Sequence, residues 1–123
     1  MRLNALVGGS AEVVGPETTL RGAAVAMVAA SVGAVAVIDG RRLVGIVTDR
    51  DLARAASENA DFDGDPVTSW MSESPDTFDP NVRVAEAAQW LLEVGYRHLP
   101  VMDGDELLGI VDIRDLLWAL TKS

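Results

Sequence analysis

The sequence predicts an α+β fold built from two tandem β-α-β-β-α repeats. Three observations carry that prediction: the chain repeats itself, each copy alternates helical and strand-like apolar spacing, and each copy sets an Asp-Gly turn between two short apolar runs. Sliding the 123-residue sequence against itself by 64 positions aligns Pro16 to Ala56 with Pro80 to Leu120 and gives 14 identities in 41 pairs. Coincidence at one fixed offset without gaps marks a duplicated unit. The block Leu43, Gly45, Ile46 and Val47 meets Leu107, Gly109, Ile110 and Val111, and Arg50-Asp51-Leu52 meets Arg114-Asp115-Leu116.

Each copy opens on a short extended piece, around Glu12 to Val14 and again around Asp76 to Phe78. A Pro-containing turn follows, Gly15-Pro16 or Asp79-Pro80. The next segment is a helix. In the second copy Val84, Ala87, Ala88, Leu91 and Leu92 recur at three- and four-residue spacing, with Glu86, Gln89 and Glu93 on the other face. Val35 to Ile38 and Leu43 to Val47 then flank Asp39-Gly40, as Leu99 to Met102 and Leu107 to Val111 flank Asp103-Gly104. Two apolar runs joined through Asp-Gly form a hairpin. A last helix opens at Asp49 or Ile113 and is expected to carry Leu52, or Leu116, Leu117 and Leu120, toward the core. The first repeat is assigned to residues 1–60 and the second to 61–123. The connection over 55–82 holds seven acids and no Lys or Arg. Asp61, Asp63 and Asp65 start like a calcium loop, but Pro66 and Ser72 stand where that loop needs Gly and Glu, so the segment reads as a solvated acidic turn.

Composition narrows the function. Ten Lys+Arg against nineteen Asp+Glu give a net charge of −9, a field that opposes nucleic-acid backbones and anionic membrane surfaces. No nucleic acid and no membrane partner is expected. The absence of cysteine excludes disulfides and thiolate chemistry, and the single histidine, His98, leaves no His-rich metal site. Gly22 to Ile38 is a run of 17 uncharged residues, short of a membrane span and rich in Ala, and it reads as a buried helix followed by a buried strand. Met1 to Gly9 lacks the long apolar stretch of a secretory signal; the expected location is cytoplasmic. No nucleophile elbow, phosphate loop or His-Glu-x-x-His helix occurs, so the protein is not expected to be an enzyme.

The stretch Val37 to Leu52, with Asp39-Gly40, Gly45-Ile46-Val47 and Thr48-Asp49-Arg50-Asp51, resembles the core of a CBS domain, and Leu99 to Leu116 resembles a second. Val67 to Ser72 is similar to the helical turn that precedes a second repeat in that family. The resemblance covers nearly the whole chain. It implies a stand-alone CBS pair, or Bateman module, with its repeats packed about a pseudo-two-fold axis. Further implications are an adenosine-containing ligand in the cleft between repeats, pairing into a homodimeric four-repeat disc, and regulation of an unidentified partner protein. The ligand that the resemblance implies is AMP, ADP or ATP, with S-adenosylmethionine or NADH less favoured, and no cofactor is expected to be required.

The resemblance also assigns residues. Thr48 and Asp51, with Arg50 between them, satisfy the family's nucleotide signature: a helix N-terminus and a hydroxyl for phosphate, a carboxylate for the ribose hydroxyls. The same spacing is a capping box, Thr48 as N-cap and Asp51 reaching back. Both readings stand on sequence alone. The family pattern pairs Thr48 and Asp51 with Thr77, Phe78, Arg97, His98 and Pro100 of the other repeat: Thr77 for base or ribose, Phe78 and Pro100 as walls, Arg97 and His98 for phosphate. Asp115 would take the ribose in the complementary cleft, where Asp112 replaces the hydroxyl. A carboxylate there repels phosphate, by about 4 kcal/mol at about 4 Å and an effective dielectric near 20, so one phosphate-bearing nucleotide per chain is expected. Trp70, Trp90 and Trp118 read as packing or dimer contacts. The competing reading is a constitutive homodimeric interaction scaffold without a nucleotide, its Thr-x-x-Asp serving only as a cap.

Overall fold

The computed structural model describes residues 1–7 and 11–122. The chain divides into two compact units, Glu12–Pro75 and a second made of Met1–Ala11 with Asp76–Ser123. The first contains β1 (Val13–Val14), α1 (Leu20–Ala30), β2 (Ala34–Asp39), β3 (Arg42–Thr48), α2 (Asp49–Ser57), a 3₁₀ turn at Val67–Ser69 and β4 (Ser72–Glu73). Its sheet runs β1-β2-β3-β4, with β1 parallel to β2 and the other neighbours antiparallel. The second contains a 3₁₀ turn at Leu3–Ala5, α3 (Val84–Val94), β5 (His98–Asp103), β6 (Glu106–Asp112) and α4 (Ile113–Thr121), with β5 and β6 paired antiparallel.

Both hairpins form where the Asp-Gly pairs predict. Gly40 and Gly104 take the left-handed conformation, φ 65° and 59°, that a two-residue hairpin loop requires and a Cβ penalises. Registers match across the copies, down to an irregularity between Val37 and Ile38 and again between Val101 and Met102. The uncharged run Gly22 to Ile38 divides into α1 and β2, and no helix among the described residues is long and apolar enough to cross a membrane.

Each unit has its own core. In Glu12–Pro75 it is Ala23, Met27, Val35, Val37, Val47 and Val67. In the other unit α3 contributes Val84, Ala87, Ala88 and Leu91, the strands Leu99, Val101 and Val111, and α4 Leu116 and Ala119. The apolar periodicity overreached at three positions. Leu92, Leu117 and Leu120 are exposed, not core. Four residues already fill the inward stripe of α3, which leaves Leu92 on its flank; on α4 the inward pair is Leu116 and Ala119, so Leu117 and Leu120 lie outside it.

A division at residue 60 does not follow the contacts, because the segment before each copy packs with the other copy. In one unit the Leu3 N–H donates to the Val82 carbonyl at 2.9 Å and Val84 N–H to Met1 at 3.0 Å. In the other, Val67 N–H donates to Thr18 at 2.8 Å and Leu20 N–H to Asp65 at 3.1 Å. These are the same two bonds 64 positions apart, and Leu3 and Val67 are both fully buried.

The copies differ at one strand edge for a single chemical reason. Ala36 N–H donates to Glu12 at 2.9 Å, which locks β1 onto β2. Pro100 occupies the matching position and has no N–H. Only an isolated bridge survives, Phe78 to Val101, held by Phe78 N–H to Pro100 at 3.0 Å and Met102 N–H to Phe78 at 2.9 Å. Asp76 to Phe78 therefore approaches the sheet without becoming a strand.

The exchanged segments also explain a pair of glycines. A Cβ on Gly109 would lie 2.9 Å from Val7 Cγ1, and one on Gly45 would overlap Met71 and sit 3.0 Å from the Ser72 carbonyl oxygen. Val7 and Met71 are again 64 apart. Gly109→Ala should cost about 1–3 kcal/mol by overpacking against a stiff β-branched neighbour, and Leu3→Ala about 2–5 kcal/mol. Urea unfolding of both variants measures this, and wild-type stability for Leu3→Ala would mean that the opening segment does not support the core.

Candidate functional site at the strand-to-helix junctions

In each copy the last strand passes into the last helix without a loop. Thr48 ends β3 and is the N-cap of α2; Asp112 ends β6 and is the N-cap of α4. Both junctions close as capping boxes. Thr48 Oγ1 accepts from Asp51 N–H at 3.2 Å, and Asp51 Oδ2 accepts from Thr48 N–H at 2.9 Å. Asp115 Oδ2 likewise accepts from Asp112 N–H at 3.0 Å.

The first turn of α2 has no main-chain N–H left over. Asp49 N–H goes to the Gly33 carbonyl at 2.9 Å, Arg50 N–H to Asp49 Oδ1 at 2.8 Å, and Asp51 N–H to Thr48. The start of α2, which the family pattern offers to a phosphate, thus has its main-chain donors engaged by Thr48, Asp49 and the Gly33 carbonyl. Side chains remain as the available donors. A hydroxyl can accept and donate at once, so Thr48 keeps a proton to give while it caps.

Asp51 is buried, with 9% of the residue and 13% of its side chain exposed. Its Oδ1 accepts from Arg54 Nη2 at 3.2 Å. Arg54 in turn reaches the Trp70 carbonyl at 3.4 Å, and its guanidinium carbon stands 5.3 Å from the centre of the Trp70 ring. Asp51-x-x-Arg54 is one helical turn and is visible in the sequence; the contact with Trp70 is not. The Arg50 side chain is exposed.

The second junction has the same backbone and different chemistry. His98 pairs with Asp112 in the β5/β6 register, as Ala34 pairs with Thr48 in β2/β3. His98 Nε2 lies 3.4 Å from Asp112 Oδ2, and the His98 side chain is only 8% exposed. Asp112 Oδ1 also accepts from Arg114 N–H at 2.7 Å and Arg114 Nε at 3.2 Å, and Oδ2 from Arg114 Nη2 at 3.3 Å. Burial pushes the Asp112 carboxyl up, but the hydrogen bonds from Arg114 and the charges of His98 and Arg114 outweigh it and hold the group below its ordinary value. Asp112 is therefore not the bare charge that the sequence suggests. Asp115 is exposed, and Trp118 occupies the position matching Arg54.

Thr77 and Arg97 are exposed, and the Arg97 carbonyl anchors α4 by accepting from Ile113 N–H at 2.8 Å. Pro100 is buried within β5. Phe78 is half-buried against Trp90, ring centres 5.1 Å apart, and Trp90 meets Tyr96 at 6.0 Å. Thr48, Arg50 and Asp51 belong to Glu12–Pro75, and the other candidates belong to the second unit. In the acidic connection Asp63 is engaged by Arg21, while Asp61 and Asp65 accept main-chain N–H groups at 3.1 and 3.0 Å.

Two copies of one α+β unit, each closed by a carboxylate three residues into its last helix, define a tandem-repeat module. The family model of the CBS domain matches residues 10–58 and 67–122, and the chain belongs to that family. An uncharacterised 17.7 kDa protein of Acidianus ambivalens is 41% identical over 110 residues, 88% of this chain and 66% of that protein, so the chain spans just under two thirds of that relative's length. The CBS domain-containing protein YhcV of Bacillus subtilis is 34% identical over 103 residues, 84% of this chain and 74% of its own. Among solved structures, a CBS domain protein superposes with a TM-score of 0.92 at 27% identity over 98% of both chains. A CBS domain protein from Pyrobaculum aerophilum complexed with AMP gives 0.87 at 26% over 100% of both. CBSX2 in complex with AMP gives 0.84 at 29% over 98% of this chain and 96% of its own.

Asp112 yields a pH prediction. Its carboxyl is depressed in the folded state, so its contribution is complete above the ordinary Asp range near about pH 4 and is lost as pH falls through the folded value. Asp112→Asn keeps a cap oxygen and removes the charge. Denaturant unfolding from pH 7 to 2 should show the wild type more stable near neutrality and the gap closing in acid; a gap independent of pH would mean that the charge contributes nothing.

Proposed function

We propose that this CBS pair is a regulatory module that binds an adenine nucleotide, AMP by preference among AMP, ADP and ATP, at the Thr48/Asp51 junction and relays occupancy to a partner protein. The observation that carries the reading is the buried Asp51 carboxylate. A carboxylate presents about four acceptor positions, of which Thr48 N–H and Arg54 take one each. Two remain, the number that a ribose needs for its 2′- and 3′-hydroxyls. Two CBS structures at 26% and 29% identity whose ligand is AMP support the choice of nucleotide.

In this reading Thr48 donates its hydroxyl proton to a phosphate oxygen and Arg50 adds charge at the helix start. The second junction takes no phosphate, because Asp112 sets a carboxylate where Thr48 offers a hydroxyl proton. The module binds and transmits; it does not catalyse. A ligand changes a partner's contact only by preferring one arrangement of the module over another.

The helices expose Val25 and Val28 on α1 and Leu92, Leu117 and Trp118 on α3 and α4, with Val28 80% and Trp118 56% exposed. Apolar surface of this kind, present on each unit, marks association, and the occupant in this reading is a second copy, giving a homodimer of four repeats. Sedimentation at micromolar concentration should find the dimer, and a monomer of 13.0 kDa would refute it.

Calorimetry tests the ligand. One AMP should bind per chain. Asp51→Ala should lose about tenfold or more, the cost of hydrogen bonds to a charged acceptor, whereas Asp115→Ala should stay within about twofold. Two equivalent AMP sites, or none, would sink the proposal and, in the latter case, favour the scaffold whose Thr48 and Asp51 serve only to cap.

A further inference from the structure

We infer that Arg54 is a positioning residue for ribose recognition: clamped by Trp70, it fixes the Asp51 carboxylate so that its open acceptor positions match a vicinal diol, and so gives the site its preference for ribonucleosides over deoxyribonucleosides. The inference rests on reading Asp51 as the ribose acceptor. Its grounds are the cluster around that carboxylate.

A capping-box carboxylate needs one hydrogen bond to do its structural work, the bond from the N-cap N–H. Asp51 has that bond at Oδ2 and a second at Oδ1, from Arg54 at 3.2 Å. With both oxygens held, rotation about the last side-chain bond is blocked and the unused lone pairs point in fixed directions. The side chain providing the second bond is itself held. Arg54 is half-exposed, and a long guanidinium side chain in water gains little from one ion pair. Here the carbonyl and ring of Trp70, at 3.4 and 5.3 Å, bracket it and reduce the entropy it would lose in orienting the carboxylate.

The duplicated copy supplies the comparison within the same molecule. Asp115 makes the same capping bond, at 3.0 Å, but the residue one turn on is Trp118, with an uncharged indole and a single N–H in place of the guanidinium. Asp115 is exposed where Asp51 is buried. Capping alone asks for neither the second bond nor the burial, since Asp115 caps without them. The additional restraint at Asp51 fits a demand on the direction of its free lone pairs, and a rigid acceptor gains affinity by removing the cost of ordering it on binding.

Calorimetric titration of adenosine, 2′-deoxyadenosine and 3′-deoxyadenosine into wild type, Arg54→Ala and Arg54→Lys tests this. Wild type should prefer adenosine to each deoxy analogue by about tenfold or more, as the loss of a hydrogen bond to a carboxylate requires. In Arg54→Ala that preference should fall to about two- to threefold, through weaker adenosine binding with the deoxy affinities nearly unchanged. Arg54→Lys, which returns a cationic donor, should recover much of it. An unchanged preference in Arg54→Ala, an equal loss for all three ligands, or tighter adenosine binding would overturn the inference while leaving Asp51 as the acceptor. Wild type that binds none of the three, or binds them equally, would overturn the ribose reading of Asp51 and this inference together.

Discussion

The joint between the last strand and the last helix of each repeat has no room for a loop, and much of the structure follows from that. A single residue must finish the sheet ladder and begin the helix, so the N–H groups of the first turn have to find acceptors within reach. Gly33 and Arg97 provide carbonyls at the matching ends of β2 and β5. The residue at the joint and the one three positions on close the rest. This satisfaction of backbone groups places a polar side chain and a carboxylate side by side at the start of a helix. Ligand chemistry, if evolution adds it, is built on groups that the fold already needs.

Duplication then allowed the two joints to diverge while the main chain stayed fixed. The hairpin registers, the turn glycines and the anchoring bonds recur with the repeat offset. The side chains do not. One joint has Thr48, Asp51 and Arg54 with Ala34 opposite; the other has Asp112, Asp115 and Trp118 with His98 opposite. The exchange of Ala34 and Thr48 for His98 and Asp112 is coherent across two strands, because it adds an acid together with the base that faces it. The single exchange of Ala36 for Pro100 shows the same freedom at the sheet edge, where one missing N–H removes a strand without disturbing the hairpin.

Local chemistry was legible in the sequence and long-range chemistry was not. The repeat, both hairpins, the helix starts at Asp49 and Ile113 and the capping roles of Thr48 and Asp112 all depend on spacings of a few residues, and all are present. Periodicity failed at Leu92, Leu117 and Leu120 because an apolar residue beside a filled stripe looks, in sequence, like part of it. The His98–Asp112 contact requires the strand register, and the Arg54–Trp70 contact requires the path of the acidic connection. The packing of Leu3 lies between these cases. Its alignment with Val67 is visible once the self-comparison is carried upstream of Pro16, but the partner of either segment is set by hydrogen bonds remote in the chain.

Those exchanged segments put the unit of duplication and the unit of packing out of phase, which bears on the order in which the chain acquires structure. Glu12–Pro75 is continuous, and every residue it needs has left the ribosome once Pro75 and a short tether have emerged. The other unit is split by it. Leu3, made before the rest of its unit, has no acceptor until Val82 exists and no complete core until Leu116 and Ala119 do. Loop closure over such a distance is slow compared with forming a hairpin. During synthesis the segment around Leu3 therefore stays unpaired while its neighbour folds, a period in which a nascent chain is most open to chaperones or to another copy of itself.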